Sequence, residues 1–220
     1  MTTNNSFLKN HFLNILLIVL PFLMIAFFWG QIPETIPTHW NIRGEADDFG
    51  SRWSIFILPI VNIFIFLLFL VIPKIDPKKK FEQFGKTYYI LMNIMIGLMF
   101  LIFCILLLTV LGMIDNSTNW IMYLLVGLFL LIGNYLGKVR PNYFLGIRTP
   151  WTLENEEVWI KTHRFGGKLW VIGSVVMLLL SFFLTGTAFV VVFTIYAIVL
   201  GLVPMVYSYL KYKELSQEIV

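Results

Sequence analysis

The chain has 220 residues, of which 59% are hydrophobic, 17% aromatic and only 13% charged. A soluble domain carries about 25% charged residues, so this composition, with a mean hydropathy of +0.84, excludes a water-covered surface and leaves a membrane protein. The net charge of +4 comes from basic residues gathered in a few loops, which reports membrane topology and needs no nucleic-acid partner.

A spanning helix needs about 20 mostly apolar residues, and apolar runs without polar alternation favour helices over spanning strands. The first such stretch, Phe12–Trp29, follows a short polar segment containing Lys9 and His11. It ends in Phe28-Trp29-Gly30 instead of a small-residue cleavage site, so it reads as an uncleaved anchor. A long polar connection follows, Gln31–Arg52. Pro33 and Pro37 keep it from being helical, Ile36–Trp40 reads as extended, and Asn41–Gly50 is rich in turn formers. His39, Trp40, Asn41, Glu45, Asp47 and Asp48 are its candidate ligand-binding residues. A single imidazole among scattered carboxylates lacks metal-site spacing; no metal is expected, and a solvated turn with Trp40 and Trp53 at the headgroup layer is the alternative reading.

The later stretches are Trp53–Pro73, Thr87–Gly112, Trp120–Gly137, Leu169–Leu184 and Ala188–Leu210. None of the six contains Asp, Glu, Lys, Arg or His, which counts against proton-coupled carriers, pumps and voltage sensors. Asn14, Asn62, Asn93 and Asn134 each fall in a span, and interhelical hydrogen bonding is favoured over a polar pocket. Gly133 and Gly137 form a small-xxx-small pair suited to close helix approach. Pro21, Pro59 and Pro204 are expected to kink their helices. The lone cysteine, Cys104, excludes an intramolecular disulfide. Of the 16 Lys and Arg, 14 lie on one side of this arrangement and only Arg43 and Arg52 on the other. The positive-inside rule then predicts both termini in the cytoplasm, with 31–52 as the outer loop. The fold expected is an all-α membrane protein, a six-helix transmembrane bundle, divided into a two-span part (1–86) and a four-span part (87–220).

Between the fourth and fifth spans, residues 139–168 form a cytoplasmic loop with a dense motif, RPNYFLGIRTPWTLENEEVWIKTHRFGGK, Arg140–Lys168. Pro150 holds Thr149 extended, and Thr152 is the candidate helix cap. Glu154, Glu156 and Glu157 suit the first turns of a short helix, and Lys161, His163 and Arg164 its end. Gly166-Gly167 is expected to stop it. Trp151, Val158, Thr162 and Phe165 share a stripe, with Trp159 nearby, so an interfacial amphipathic helix with its aromatics toward lipid is expected. That helix leaves the cluster Asn142, Gly146, Arg148, Thr149, Pro150, Trp151 and Thr152 unexplained. Arg148 is a rigid donor fork, either bracing helix carbonyls or binding a partner's carboxylate.

The run Asn142–Gly166, followed by a hydrophobic span, resembles the SdpI immunity-protein family of bacterial multi-pass membrane proteins. Ile36–Ser51 resembles a second membrane domain, of uncharacterised function, often found ahead of it. The resemblance implies a non-enzymatic protein of the bacterial cell membrane, surrounded by lipid and without a cofactor. It would give resistance to a secreted toxic peptide, and hold a small winged-helix autorepressor at the membrane. Under that implication Asn142, Gly146, Arg148, Thr149, Pro150, Trp151, Thr152, Trp159, His163 and Arg164 are the partner-binding candidates. Two other classes compete. A small-molecule transporter or channel calls for broken helices around a midplane site, and the chain offers isolated prolines. A membrane enzyme finds a near match in Glu156-Glu157-x-x-x-Lys161, which approaches the signature of intramembrane prenyl-type proteases, but Lys stands where Arg is expected and no intramembrane histidine follows.

Overall fold

The computed structural model describes residues 2–77, 86–115 and 117–217. Lys78, Lys79 and Lys80, which contribute to the charge asymmetry, lie outside them. Along the chain run α1 (Thr2–Phe28), β1 (Thr35–Trp40), β2 (Ala46–Ser51), α2 (Ile57–Ile75), α3 (Lys86–Val110), α4 (Ser117–Leu136), α5 (Pro150–Glu154), α6 (Glu156–Leu180) and α7 (Gly186–Gln217). Six of the helices, all but α5, are long and apolar enough to cross a membrane. Their outward side chains include exposed Phe64, Leu67, Ile172, Ile195 and Leu202. Apolar surface this extensive is covered by hydrocarbon, not water. Pro21 and Pro204 lie inside α1 and α7. Pro59 instead occupies the first turn of α2, where its missing N–H costs little.

The chain forms two compact units, Met1–Phe69 with Met92–Leu124, and Leu70–Leu91 with Leu125–Val220. In the first, the turn-rich connection after α1 is a β-hairpin. The extended reading of Ile36–Trp40 holds, but Ala46–Ser51, where turn formers dominate, pairs antiparallel with it. The reversal is made at the tip. Asn41 Oδ1 accepts from the backbone N–H of Arg43 (2.8 Å) and of Glu45 (3.2 Å), and Gly44 supplies a φ of 80°. A lone two-stranded hairpin is marginal in water. This one is anchored by Ile36, which is buried with Ile25, Ile32, Ile55, Phe103 and Leu107. Beside it Trp29 and Trp53 lie 4.9 Å apart, and the Arg52 guanidinium sits 5.1 Å over the Trp29 ring. In the same unit Asn62 Nδ2 donates to the Ile96 carbonyl of α3 at 3.3 Å, an interhelical bond of the expected kind. Asn14 is buried, Asn93 is half-buried and Asn134 is exposed, so the four asparagines do not form one set.

The second unit corrects the expected helix boundary. Instead of a short interfacial helix ended by Gly166-Gly167 and a separate span from Leu169, one helix, α6, runs unbroken from Glu156 to Leu180. Glycine within a helix costs about 1 kcal/mol relative to alanine, and close packing offsets that cost. A Cβ on Gly167 would lie 2.7 Å from the Gly133 carbonyl oxygen, and one on Gly166 would lie 2.7 Å from Ile147 Cδ1. A Cβ on Gly133 would lie 2.8 Å from Trp170 Cβ. Gly167 admits neighbouring backbone and Gly166 a neighbouring side chain, neither ends the helix, and the close approach expected at Gly133 is present. Val158 and Thr162 are buried, and Phe165 stacks on Tyr207 of α7 at 4.2 Å. The stripe expected to face lipid therefore faces protein.

Candidate functional site

The motif loop of the second unit is built around three groups of buried polar side chains. Asn142 is the first. Its Oδ1 accepts from the N–H of Phe144 (2.7 Å) and Leu145 (2.6 Å), while its Nδ2 donates to the carbonyls of Arg140 (2.8 Å) and Leu145 (2.9 Å). One side chain thereby satisfies four backbone groups that irregular backbone would otherwise leave unpaired.

His163 is the second. The Ile147 N–H donates to its Nε2 at 2.9 Å, and its Nδ1 lies 2.8 Å from the Trp159 carbonyl oxygen. An amide nitrogen can only donate and a carbonyl can only accept, so the ring fits as the neutral tautomer with its proton on Nδ1. Trp159 stacks on it at 4.1 Å and donates from Nε1 to the Val139 carbonyl at 2.8 Å. Both rings are 0% exposed. The loop passes so close that a Cβ on Gly146 would overlap His163 Nε2, and the Gly146 φ is 112°.

The third is the threonine pair. Thr149, not Thr152, caps α5. Its side chain accepts from the Thr152 N–H, and Thr152 reciprocates at the Thr149 N–H. Thr152 Oγ1 also donates to the Ile147 carbonyl at 2.9 Å, and Thr149 Oγ1 lies 3.0 Å from Ser208 Oγ on α7. The cap of α6 is Asn155, whose Oδ1 accepts from the N–H of Glu157 (2.8 Å) and Val158 (3.1 Å). Glu156 and Glu157 occupy its first turn as expected, and Glu157 pairs with Lys161 at 2.7 Å.

These contacts divide the candidates. Asn142, Thr149, Thr152, Trp159 and His163 are buried and bonded within the chain, so they shape the loop and present nothing to a partner. Gly146, Arg148, Pro150 and Arg164 are exposed, and Trp151 is half-exposed. Arg148 Nη1 donates to the Tyr143 carbonyl at 2.6 Å, which braces the loop while the guanidinium stays at the surface. Trp151 packs against Tyr209 of α7, with ring centroids 5.0 Å apart. The accessible feature is thus a rim of Arg148, Pro150, Trp151, Tyr143 and Tyr209. Tyr209 and Ser208 escape a reading of the motif alone, because they come from the far end of α7. Their signal is the Tyr207-Ser208-Tyr209 run, polar and aromatic at the close of an apolar helix.

On the hairpin of the first unit, the candidates gather in two separate pairs. His39 Nδ1 lies 2.6 Å from Asp47 Oδ1. Glu45 accepts from Asn41 Nδ2 at 3.0 Å and Arg43 Nε at 2.9 Å, and these contacts hold its carboxyl below the usual carboxylate range, the Asn41 bond first and the Arg43 charge next. Asp48 turns back to the Phe49 N–H. Among the described residues no three His, Cys, Asp or Glu side chains converge as a metal site would require. Trp40 is half-buried above an apolar cleft of about 250 Å³, lined also by Ile36, Pro37, Leu58, Ile105 and Ile121.

The model of the SdpI/YfhL protein family matches residues 138–208, and that of a domain of unknown function (DUF1648) matches residues 16–63. The chain is 30% identical over 210 residues to "Immunity protein SdpI" of Bacillus subtilis, covering 95% of this chain and 99% of that one. It is also 41% identical over 63 residues to an uncharacterized protein of Archaeoglobus fulgidus, covering 29% of this chain and 34% of that one. No solved structure matches it.

Proposed function

The chain belongs to the SdpI/YfhL protein family, and from that premise we propose that it is an immunity protein of the bacterial cell membrane, protecting its host from a secreted toxic peptide. The observation that carries this reading is the alignment with "Immunity protein SdpI", which extends across 99% of that protein. The family is generally non-enzymatic, so protection comes from binding. Both termini lie in the cytoplasm, by the distribution of Lys and Arg. The hairpin then faces outward, and the cleft beneath β1 takes an apolar side chain of a membrane-active peptide. His39, Asp47 and Asp48 offer polar groups on the same hairpin.

On the cytoplasmic side, the rim of Arg148, Pro150 and Trp151 is the docking surface for a partner such as a winged-helix autorepressor. Arg148 supports this role, since one guanidinium N–H braces the loop and the others stay open to a carboxylate. Reporting across the membrane requires the toxic peptide to bind one conformation of the chain better than another. The test is expression in a sensitive bacterium challenged with a panel of secreted toxic peptides. A raised killing dose for at least one peptide is expected. An unchanged dose across the whole panel would overturn the immunity reading.

A further inference from the structure

The second unit carries a concave basic site that the immunity reading leaves unused. At the end of α4 a pocket of about 350 Å³ is lined by Thr87, Lys138, Arg140 and Arg164, with Gly137 and Ile160 between them. Its three cations come from two segments. Lys138 and Arg140 follow α4, and Arg164 comes from the third turn of α6, across the Gly137 backbone. The lining holds no carboxylate, and none of the ion pairs among the described residues uses Lys138, Arg140 or Arg164. Cations beyond a helix C-terminus offset its dipole, which accounts for Lys138 and Arg140 but not for the convergence of Arg164 on them.

A second depression, of about 360 Å³, adjoins the first and shares Gly137 and Arg164 with it. It is lined further by Gly133, Gly167, Val171 and Ile172, with Asn134 and Lys168 as its other polar residues. Where α4 and α6 touch through Gly133 and Gly167 their backbones are in contact, and the depression lies alongside that contact. Ile172 lies open there, 63% exposed. A cationic pocket with a hydroxyl therefore adjoins a mostly apolar depression along two membrane helices.

We propose that this is a binding site for an anionic phospholipid, with its phosphate among Lys138, Arg140, Arg164 and Thr87 and an acyl chain along the trough of Gly133, Gly137, Gly167, Val171 and Ile172. Two features select this occupant. The charge complements a phosphate headgroup, as basic pockets between membrane helices do, and the adjoining trough is mostly apolar, which a free phosphate cannot use. The site is distinct from the Arg148 rim, and its readout does not involve toxin.

The full chain is purified in detergent, and lipid adducts are followed by native mass spectrometry during titration with dioleoyl phosphatidylglycerol, dioleoyl phosphatidylcholine, or inorganic phosphate. Phosphatidylglycerol is expected to bind at least tenfold more tightly than phosphatidylcholine, with no competition from millimolar phosphate. Lys138→Gln, Arg140→Gln and Arg164→Gln are each expected to weaken it about fivefold, and Arg164→Lys to retain most of it. Equal binding of the two lipids by the unmodified chain would overturn the proposal, leaving only annular lipid. Displacement by phosphate would also overturn it, leaving an anion site without the acyl trough. Undiminished binding by a correctly folded triple Gln variant would do the same.

Discussion

Replacing Gly146 with alanine tests the architecture of the motif, because the damage should depend on a partner 17 residues away. The Gly146 φ of 112° suits glycine and strains any other residue, at a cost of about 1–3 kcal/mol. The new Cβ would also overlap His163 Nε2, a buried ring sandwiched with Trp159 and unable to retreat, which adds about 1–3 kcal/mol of overpacking. Gly146→Ala should therefore cost about 2–6 kcal/mol in the unmodified chain. His163→Ala alone should cost at least about 1–3 kcal/mol, since it leaves the Ile147 N–H without its acceptor. In the His163→Ala background the overlap is gone, so Gly146→Ala should cost only the backbone strain, about 1–3 kcal/mol. The measurement is thermal unfolding of the four proteins in detergent. At about 2–4 °C per kcal/mol for a chain of this size, the non-additivity amounts to about 2–12 °C. Costs that simply add would refute the contact between loop and ring, and with it the account of why the motif holds its shape.

Arg148→Ala removes one exposed hydrogen bond and should cost about 0.5–1.5 kcal/mol, so the protein should accumulate and melt nearly normally while losing protection or partner capture; loss of accumulation would assign Arg148 a purely bracing role. Cysteine introduced at Asp48 should react with an impermeant thiol reagent on intact cells, whereas cysteine at Glu156 should react only after lysis; the reverse pattern would invert the topology. At the hairpin tip the folded Glu45 carboxyl titrates below its unfolded value. Its contribution to the turn is therefore complete above about pH 4.3 and fades as pH falls through the lower, folded value. Protection of the Arg43–Ala46 amides relative to their intrinsic exchange should fall only below about pH 4.3, and Glu45→Gln should remove that loss.

The six spans were legible in the sequence because lipid imposes a local requirement: about 20 consecutive apolar residues in a segment that satisfies its own backbone. Ile36–Trp40 was legible as extended through its prolines, and the close approach at Gly133 through its spacing. The acidic first turn of α6 was legible through charge order. Each of these is a property of neighbours in sequence. Gly166-Gly167 misled for the same reason, since local propensity predicts a stop, and only the Gly133 carbonyl and Ile147 side chain pressed against them explain a continuous helix. Trp159 and His163 look like surface aromatics of an interfacial helix until Val139 and Ile147 arrive as hydrogen-bond partners. Residues separated in sequence determine which polar groups are satisfied internally and which remain open. Burial of the motif's rings and exposure of Arg148 were thus decided by tertiary contact, while membrane residence was written in composition alone.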